Sequence, residues 1–274
     1  MPATPPPVRA RQRASDTPDP FFATTLARGL EVLAAFRPGD AGLANGELAS
    51  RTGLTRPTVS RLANTLLRLG YLRRDDTGRY LLSTRVLRMA YPVLAHLRIR
   101  QLARPFMREF AEYARGTVSI GTIDGTDLVY VETTRISEGV DFVPDIGVTL
   151  PLVRSAMGRA LVSMLPDAAG RQLIARIRND TPELWKKYGR NAERGIELCR
   201  ERGFCVSTGD FRPEIHAAGA PVVTSPDGEV FAINCGVPVY RLRPGQLEDE
   251  IGPRLAALAA TIRGLAQHTA REAA

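Results

Sequence analysis

Six residues between positions 55 and 64 carry side chains that can hydrogen-bond to the edges of nucleic-acid bases. A guanidinium group such as that of Arg56 or Arg61 can donate two parallel hydrogen bonds to guanine, and hydroxyl groups bind either bases or phosphates. The six candidates are Thr55, Arg56, Thr58, Ser60, Arg61 and Asn64. Their chemistry predicts contact with duplex DNA.

Two short helices separated by a glycine turn would position these side chains. Asn45 is a candidate N-cap for the first helix, and Gly53 is suited to end it. Thr55 can cap the second helix, with Pro57 in its first turn, where no hydrogen bond is lost. In a helix-turn-helix, the N-terminal residues of the second helix meet base edges in the major groove. The alternative is a surface helix whose arginines only face solvent.

A hairpin is predicted directly after this second helix. Two strand-like runs, over residues 71–74 and 79–82, flank a four-residue loop that contains Gly78. Arg73, Arg74 and Arg79 would place the hairpin along phosphates, which positions a protein without reading sequence. Residues 21–83 are therefore predicted to form a winged helix-turn-helix domain.

The net charge of +8 is concentrated at the start of the chain. The first 100 residues hold sixteen Arg against seven Asp and Glu, and the remainder is nearly balanced. A positive field of this kind fits a polyanionic partner such as double-stranded DNA. Residues 1–20 are rich in proline and arginine and are predicted to be a disordered basic tail.

A helical pattern with apolar residues at three-four spacing begins after Ser83 and Thr84. We expect it to form a linker helix over residues 84–101 that serves dimerisation, because it has little core of its own to cover. Pro92 should kink or interrupt this helix, since proline lacks an N–H group.

Residues 102–270 mix helices with hairpin-linked strands, which predicts an α+β domain with helices packed on a sheet. Predicted strands cover residues 117–123, 128–132, 148–153, 204–207, 217–223 and 230–236. Predicted helices cover residues 105–115, 155–164, 168–178, 191–202 and 246–269.

The sequence contains few of the residue patterns that are typical of enzymes. Of the three histidines, His216 alone lies outside a linker or terminal helix, and no nucleophile elbow or phosphate loop is present. The three cysteines have neither zinc spacing nor a disulfide framework. We therefore expect no catalytic residue, metal or cofactor. With no spanning run or secretory signal, the expected location is cytoplasmic and not membrane-bound.

Several strings in this order resemble bacterial transcription regulators of the IclR (isocitrate lyase regulator) type. They are residues 155–161 (SAMGRAL), 202–204 (RGF), 220–223 (APVV) and 232–235 (AINC), and the likeness extends over about residues 21–270. The resemblance implies a GAF-like C-terminal domain with an antiparallel sheet that binds a small effector, often an organic or aromatic acid. It also implies a homodimer that commonly assembles into a homotetramer.

Carried onto this chain, the resemblance places the effector pocket at Ser155, Ala156, Met157, Ser207, Thr208, Asn234, Cys235 and Gly236. Apolar walls with a few polar groups suit a ligand site, and the start of the predicted helix at Ser155 suits a carboxylate. A purely structural role for Ser155 or Asn234 remains equally open. The run Ser207-Thr208-Gly209 replaces acidic residues that the family often has there.

The expected function is that of a sequence-specific DNA-binding regulator controlled by a small-molecule effector. One alternative is a winged-helix regulator that responds to oxidants through Cys205 or Cys235. Another is a winged helix that serves only for protein interaction.

Overall fold

The computed structural model describes residues 20–135, 144–225 and 228–272, and it divides the chain into two compact units at His96 and Leu97. The predicted basic tail lies, except for Pro20, outside the described residues. Within the described part, no helix is long and apolar enough to cross a membrane.

The N-terminal unit is a small helical domain with a two-stranded hairpin. Its elements are α1 (Thr24–Ala34), α2 (Asn45–Thr52), α3 (Arg56–Arg68), β1 (Leu72–Arg74), β2 (Tyr80–Leu82) and α4 (Arg85–His96). Leu48 of α2 and Val59 of α3 are fully buried in one apolar core with Val32 of α1. The antiparallel hairpin pairs Leu72 with Leu82. This arrangement confirms the predicted winged helix-turn-helix.

The helix ends of this motif follow the sequence signals with one exception. Gly53 ends α2 in the left-handed conformation with φ 72°, and the Thr55 side chain caps α3 by accepting from the Thr58 N–H at 3.4 Å. The prediction of Asn45 as N-cap was wrong. Ala44 occupies that position, because the Glu47 carboxylate accepts from its N–H at 2.7 Å and satisfies the helix start instead.

Helix α4 runs through Pro92 and ends at His96. Of the two expected outcomes, a kink or an interruption at Pro92, the interruption is therefore wrong, and the kink stays a prediction. A missing N–H removes only one bond of the helix ladder. None of the residues of α4 is buried, and Leu87 and Tyr91 are 67% and 69% exposed. The helix thus presents an uncovered apolar surface.

The C-terminal unit contains one six-stranded sheet with helices on both faces. Its helices are α5 (Arg98–Ala114), α6 (Ala156–Ser163), α7 (Asp167–Asp180), α8 (Pro182–Arg202) and α9 (Gly252–Glu272). Its strands are β3 (Thr117–Asp124), β4 (Asp127–Arg135), β5 (Thr149–Pro151), β6 (Cys205–Arg212), β7 (Ile215–Thr224) and β8 (Val230–Pro238). The antiparallel order β5-β4-β3-β8-β7-β6 confirms the α+β prediction.

Three helices in this unit begin well away from the residues at which the sequence predicted them to start. Helix α5 begins at Arg98 and carries Pro105 inside it, whereas the pattern placed that proline at the start. Helix α8 begins at Pro182, nine residues before the predicted start. The residues around Lys186 are mostly polar and show no clear helical pattern, although this part of the helix buries Tyr188. A π-type turn over Leu247–Ile251 precedes α9.

An ion cluster anchors α5 to the sheet. Glu132 on β4 is only 4% exposed, and its Oε2 accepts from the Nε atoms of Arg100 and Arg104, each at 3.1 Å. A buried carboxylate needs such partners, because losing one leaves an uncompensated charge in a low-dielectric site.

We expect Glu132→Ala to lower the free energy of unfolding of this unit by about 3–5 kcal/mol, since Arg100 would lose its buried counter-charge. The fluorescence of Trp185, the single tryptophan of the chain, measures this unfolding in urea. Glu112→Ala on α5 is the control, because the pair of Glu112 with Arg108 is exposed and should contribute less than about 1 kcal/mol. Equal losses in the two variants would contradict the anchoring role.

Candidate nucleic-acid interface and ligand cleft

The six predicted base-reading residues lie together on the first turns of α3. Arg56, Arg61 and Asn64 are exposed, and within the described residues the guanidinium groups of Arg56 and Arg61 make no hydrogen bond or ion pair. The Thr58 hydroxyl lies 2.9 Å from that of Thr55, so the cap holds it near the helix start. Two unpaired guanidinium groups on an exposed helix face are available to a polyanion.

Ser60 has a structural partner as well as an exposed position. Its Oγ accepts from the Nδ2 of Asn45 at 2.9 Å, which joins α2 to α3 across the turn. Asn45, predicted as the cap of α2, therefore contacts the next helix instead. This contact could not be read from local sequence, because the two residues lie fifteen positions apart.

The three wing arginines differ in the internal hydrogen bonds that their side chains make. Arg73 is exposed, whereas Arg74 donates to the Tyr80 hydroxyl at 3.0 Å and lies 4.9 Å from the centre of its ring. Arg79 donates to the Gly42 carbonyl at 3.0 Å and to the Glu47 carboxylate at 2.7 Å. Arg79 thus ties the wing to the helices, and Arg73 remains the most available for phosphate.

The wing turn is itself held by a carboxylate. Asp75 Oδ1 accepts from the hydroxyl and the N–H of Thr77 at 2.8 and 2.9 Å. The Thr77 hydroxyl is the main cause that holds the pKa of this carboxyl below its usual range, with the Arg79 N–H as a further donor. The turn is therefore ordered with a charged aspartate at neutral pH.

In the C-terminal unit, a cleft lies between the sheet and the start of α6. It is lined by Thr117, Ser119, Tyr130, Pro144, Leu150, Arg154, Ser155, Ala156, Ser207, Phe211, Ile215, Ala217, Asn234, Gly236 and Pro238. Five of the eight predicted pocket residues are thus brought together on its walls. They are Ser155, Ala156, Ser207, Asn234 and Gly236.

The start of α6 forms one wall because Gly219 allows it to touch the sheet. A Cβ at Gly219 would overlap the backbone carbonyl of Ala156, so only glycine permits this approach. Ser155 caps the helix by accepting from the Gly158 N–H at 2.9 Å. The first N–H groups of a helix have no partner within it and favour an anion.

Arg154 is the one charged residue among the described residues that line the cleft. Its Nη2 donates to the Phe211 carbonyl at 2.9 Å and its Nε to the Asp210 carbonyl at 3.4 Å. The guanidinium also lies 5.4 and 5.7 Å from the ring centres of Tyr188 and Phe211. Arg154 is not among the pocket residues predicted from the sequence, where its only signal was its place beside Ser155.

A buried ion pair supports the wall behind Ser207. Arg159 of α6 is 3% exposed, pairs with the Asp210 carboxylate and donates to the Val206 carbonyl at 2.9 Å. Ser207 Oγ donates to the same carboxylate at 3.2 Å. The absence of an acid at Ser207-Thr208-Gly209 is therefore compensated one residue later, by Asp210.

The structure does not place the other three predicted pocket residues on the cleft. Met157 is fully buried in the core beneath α6, and Thr208 is exposed. Cys235 is buried on the opposite face of β8 from Asn234, because successive strand residues point to opposite sides of a sheet. The predicted placement of Cys235 beside Asn234 in the pocket was therefore wrong in its geometry.

Both thiols of the oxidant-sensing alternative are inaccessible. Cys205 and Cys235 are each 0% exposed, and burial raises the pKa of the Cys235 thiol to about 12. The pKa of Cys199 is also raised, chiefly by a hydrogen bond with Cys205 and then by burial. Because the thiolate is the reactive form, these sites lack the exposed, electropositive setting of a sensor.

We expect the folded chain to resist alkylation by iodoacetamide at pH 8, since Cys235 is almost wholly protonated below its pKa of about 12. The reaction should accelerate as the pH rises towards that value. Intact mass measures the number of adducts, and the chain in urea is the control, with three expected. Rapid native modification of Cys205 or Cys235 would restore the oxidant-sensing alternative.

A winged helix with available arginines, joined to a sheet domain with a cleft, defines a DNA-binding regulator with an effector domain. Comparison with known families makes the assignment specific. Residues 25–76 match the IclR helix-turn-helix domain, and residues 91–263 match the bacterial transcriptional regulator IclR C-terminal domain. The chain belongs to the IclR family of transcription regulators. These proteins are not enzymes, as the sequence analysis predicted.

Individual relatives match over most of their length. The chain is 29% identical to the regulator TsaQ1/TsaQ2 of Comamonas testosteroni, over 84% of each chain. It is 26% identical to the p-hydroxybenzoate hydroxylase transcriptional activator of Acinetobacter baylyi, over 88% of this chain and 90% of that one. The crystal structure of an IclR family regulator from Brucella abortus shares 38% identity and a TM-score of 0.80, covering 93% and 96%.

Proposed function

We propose that the chain is a regulator whose binding to a specific operator is controlled by a small organic acid in the C-terminal cleft. The observation that carries this proposal is Arg154, a guanidinium on a cleft wall beside the capped start of α6. Arginine matches carboxylate geometry, and a helix start adds a favourable dipole. The remaining lining is largely apolar, as in sites for small organic ligands.

The DNA half of the proposal assigns base reading to the start of α3. Arg56 and Arg61 would enter the major groove, and Arg73 of the wing would lie along phosphates. Thr55, Thr58, Ser60 and Asn64 would complete the contact from the same helix. Arg74 and Arg79 would contribute positive potential while they keep their internal contacts.

We expect Arg61→Ala to weaken operator binding, since one phosphate or base contact is lost. The slope of log affinity against log salt concentration should become smaller in magnitude by about one. If the contact is to a base, discrimination at that position should fall by about 1–3 kcal/mol. Fluorescence anisotropy over a salt series measures both effects on a duplex that the parent protein selects from a random pool.

Arg171→Ala is the matched control, because it removes the same charge from an exposed position on α7. Arg56→Ala should behave like Arg61→Ala, as it lies on the same helix start. Unchanged binding by both α3 variants would refute the assignment of this helix to DNA.

A homodimer is proposed to place two α3 helices in successive major grooves of a roughly palindromic operator. Its interface would use the apolar surface of α4, with Leu87, Tyr91 and Val93 all more than 60% exposed. Leu26 and Leu30 of α1, four residues apart and 64% and 50% exposed, would extend it. Dimers could then pair into tetramers.

We expect Leu87→Asp to shift the sedimentation coefficient towards a smaller species, because a charge would be buried at the dimer interface. Thr84→Asp, at an exposed site just before α4, is the control and should leave assembly unchanged. Identical sedimentation of the Leu87 variant and the parent would exclude α4 from the interface.

The effector is proposed to be an organic acid with an aromatic ring, since Tyr130 and Phe211 both line the cleft. The Acinetobacter relative is named for p-hydroxybenzoate hydroxylase, which supports this class. The protein would have one arrangement that can bind DNA and one that cannot. The acid would shift operator binding only to the extent that it binds these two arrangements with different affinities. Because its target is the chromosome, we place the protein in the cytoplasm.

A further inference from the structure

The first turn of α2 contacts a hydroxyl group that α3 presents to solvent. The Nδ2 of Asn45 donates to the Oγ of Ser60 at 2.9 Å. This bond occupies a lone pair of the Ser60 oxygen and leaves its O–H group available to donate. The major groove offers acceptors for such a donor on guanine, adenine and thymine. The Asn45 amide therefore favours Ser60 as a hydrogen-bond donor to DNA.

The Arg56 guanidinium lies against Gly46, the next residue of α2. A Cβ added at Gly46 would lie 3.3 Å from the Nη2 of Arg56 and 3.6 Å from both its Cζ and its Nε. The guanidinium group therefore lies across the backbone of this glycine. Since this is a packing contact, it restrains the position of the cation and leaves its N–H donors available to a base or a phosphate.

A third residue of the same turn contacts the wing. The Oε2 of Glu47 accepts from the Nη2 of Arg79 and from the N–H of Ala44, each at 2.7 Å. Three successive residues, Asn45, Gly46 and Glu47, thus each contact a side chain that we assign to the DNA surface. None of the three carries positive charge, so their effect on DNA binding would act through the side chains that they contact.

We propose that Asn45 and Gly46 are positioning residues for operator recognition. Asn45 orients the Ser60 hydroxyl as a donor, and Gly46 provides the surface on which the Arg56 guanidinium is held. Side chains that are restrained before they bind lose less conformational entropy on binding, which favours affinity. The inference rests on the proposed DNA-binding role of α3 and adds two residues of the preceding helix to the recognition surface.

Double-mutant cycles on the full chain test the role of Asn45, with the duplex that the parent protein selects from a random pool as the probe. Asn45→Ala should weaken binding by about threefold to tenfold, the range for one hydrogen bond. In a Ser60→Ala background the same change should alter affinity by less than about twofold, because the positioned group is already absent. In an Arg61→Ala background its full effect should return, since within the described residues the Arg61 guanidinium makes no hydrogen bond to α2.

A second cycle tests the role of Gly46. Gly46→Leu should displace the Arg56 guanidinium and weaken binding by about tenfold, as for the loss of one arginine contact. In an Arg56→Ala background the same change should alter affinity by less than about twofold. Gly264→Leu is the matched control, because this glycine is exposed on α9 and an added Cβ would meet no atom within 4 Å. Circular dichroism confirms folding, and Gly46→Ala replaces Gly46→Leu if the latter does not fold.

The inference is overturned if either α2 variant binds like the parent, or if its effect persists once its partner side chain is removed. It is also overturned if Asn45→Ala couples as strongly to Arg61→Ala as to Ser60→Ala, because a general loosening of α2 would disturb every contact of α3. Binding like that of the parent by Arg56→Ala, Ser60→Ala and Arg61→Ala would refute the DNA assignment of α3, and the inference with it. Weaker binding by those three variants, with no effect of the α2 variants, sinks the inference alone.

Discussion

The close approach of α6 to strand β7 at Gly219 is the constraint on which the C-terminal unit depends. Glycine at position 219 leaves room for the Ala156 backbone because it has no side chain. Gly121 on β3 leaves room for the sulfur of Met157 on α6 in the same way. With α6 packed on the sheet, its capped start and Arg154 line the same cleft as Asn234. The cleft is therefore a consequence of backbone packing, and its polar groups are placed by elements that already have structural roles.

The sheet also separates the cleft from the helix that begins this unit. Register shifts at Ile120/Gly121, so that Tyr130 pairs with Gly121 and Glu132 with Ile120, leaving Val131 as an extra residue on β4. Tyr130 consequently lines the cleft, while Glu132 holds the arginines of α5 on the other face. A β-bulge redirects side chains in this way, and here it lets one short segment contact both the cleft and α5.

In the N-terminal unit, the same residue type serves two different purposes. Arg79 is held by Gly42 and Glu47 and stabilises the wing, whereas the guanidinium groups of Arg56 and Arg61 make no hydrogen bond or ion pair among the described residues. An arginine that is free of internal partners needs no competing bond to be broken when it meets a phosphate or a base. Positive charge alone therefore does not identify the interface; the partners of each guanidinium do.

The sequence by itself determined the local features of this protein: the Gly53 turn, the Thr55 cap, the wing hairpin and the alternating strands, because each depends on residues close in the chain. It also predicted five of the cleft residues through family resemblance. Only the tertiary structure decided that Cys235 faces away from Asn234, that Asp210 supports Ser207, and that Arg154 lines the cleft. These outcomes depend on sheet register and on contacts between strands and helices distant in sequence, for which local patterns carry no signal.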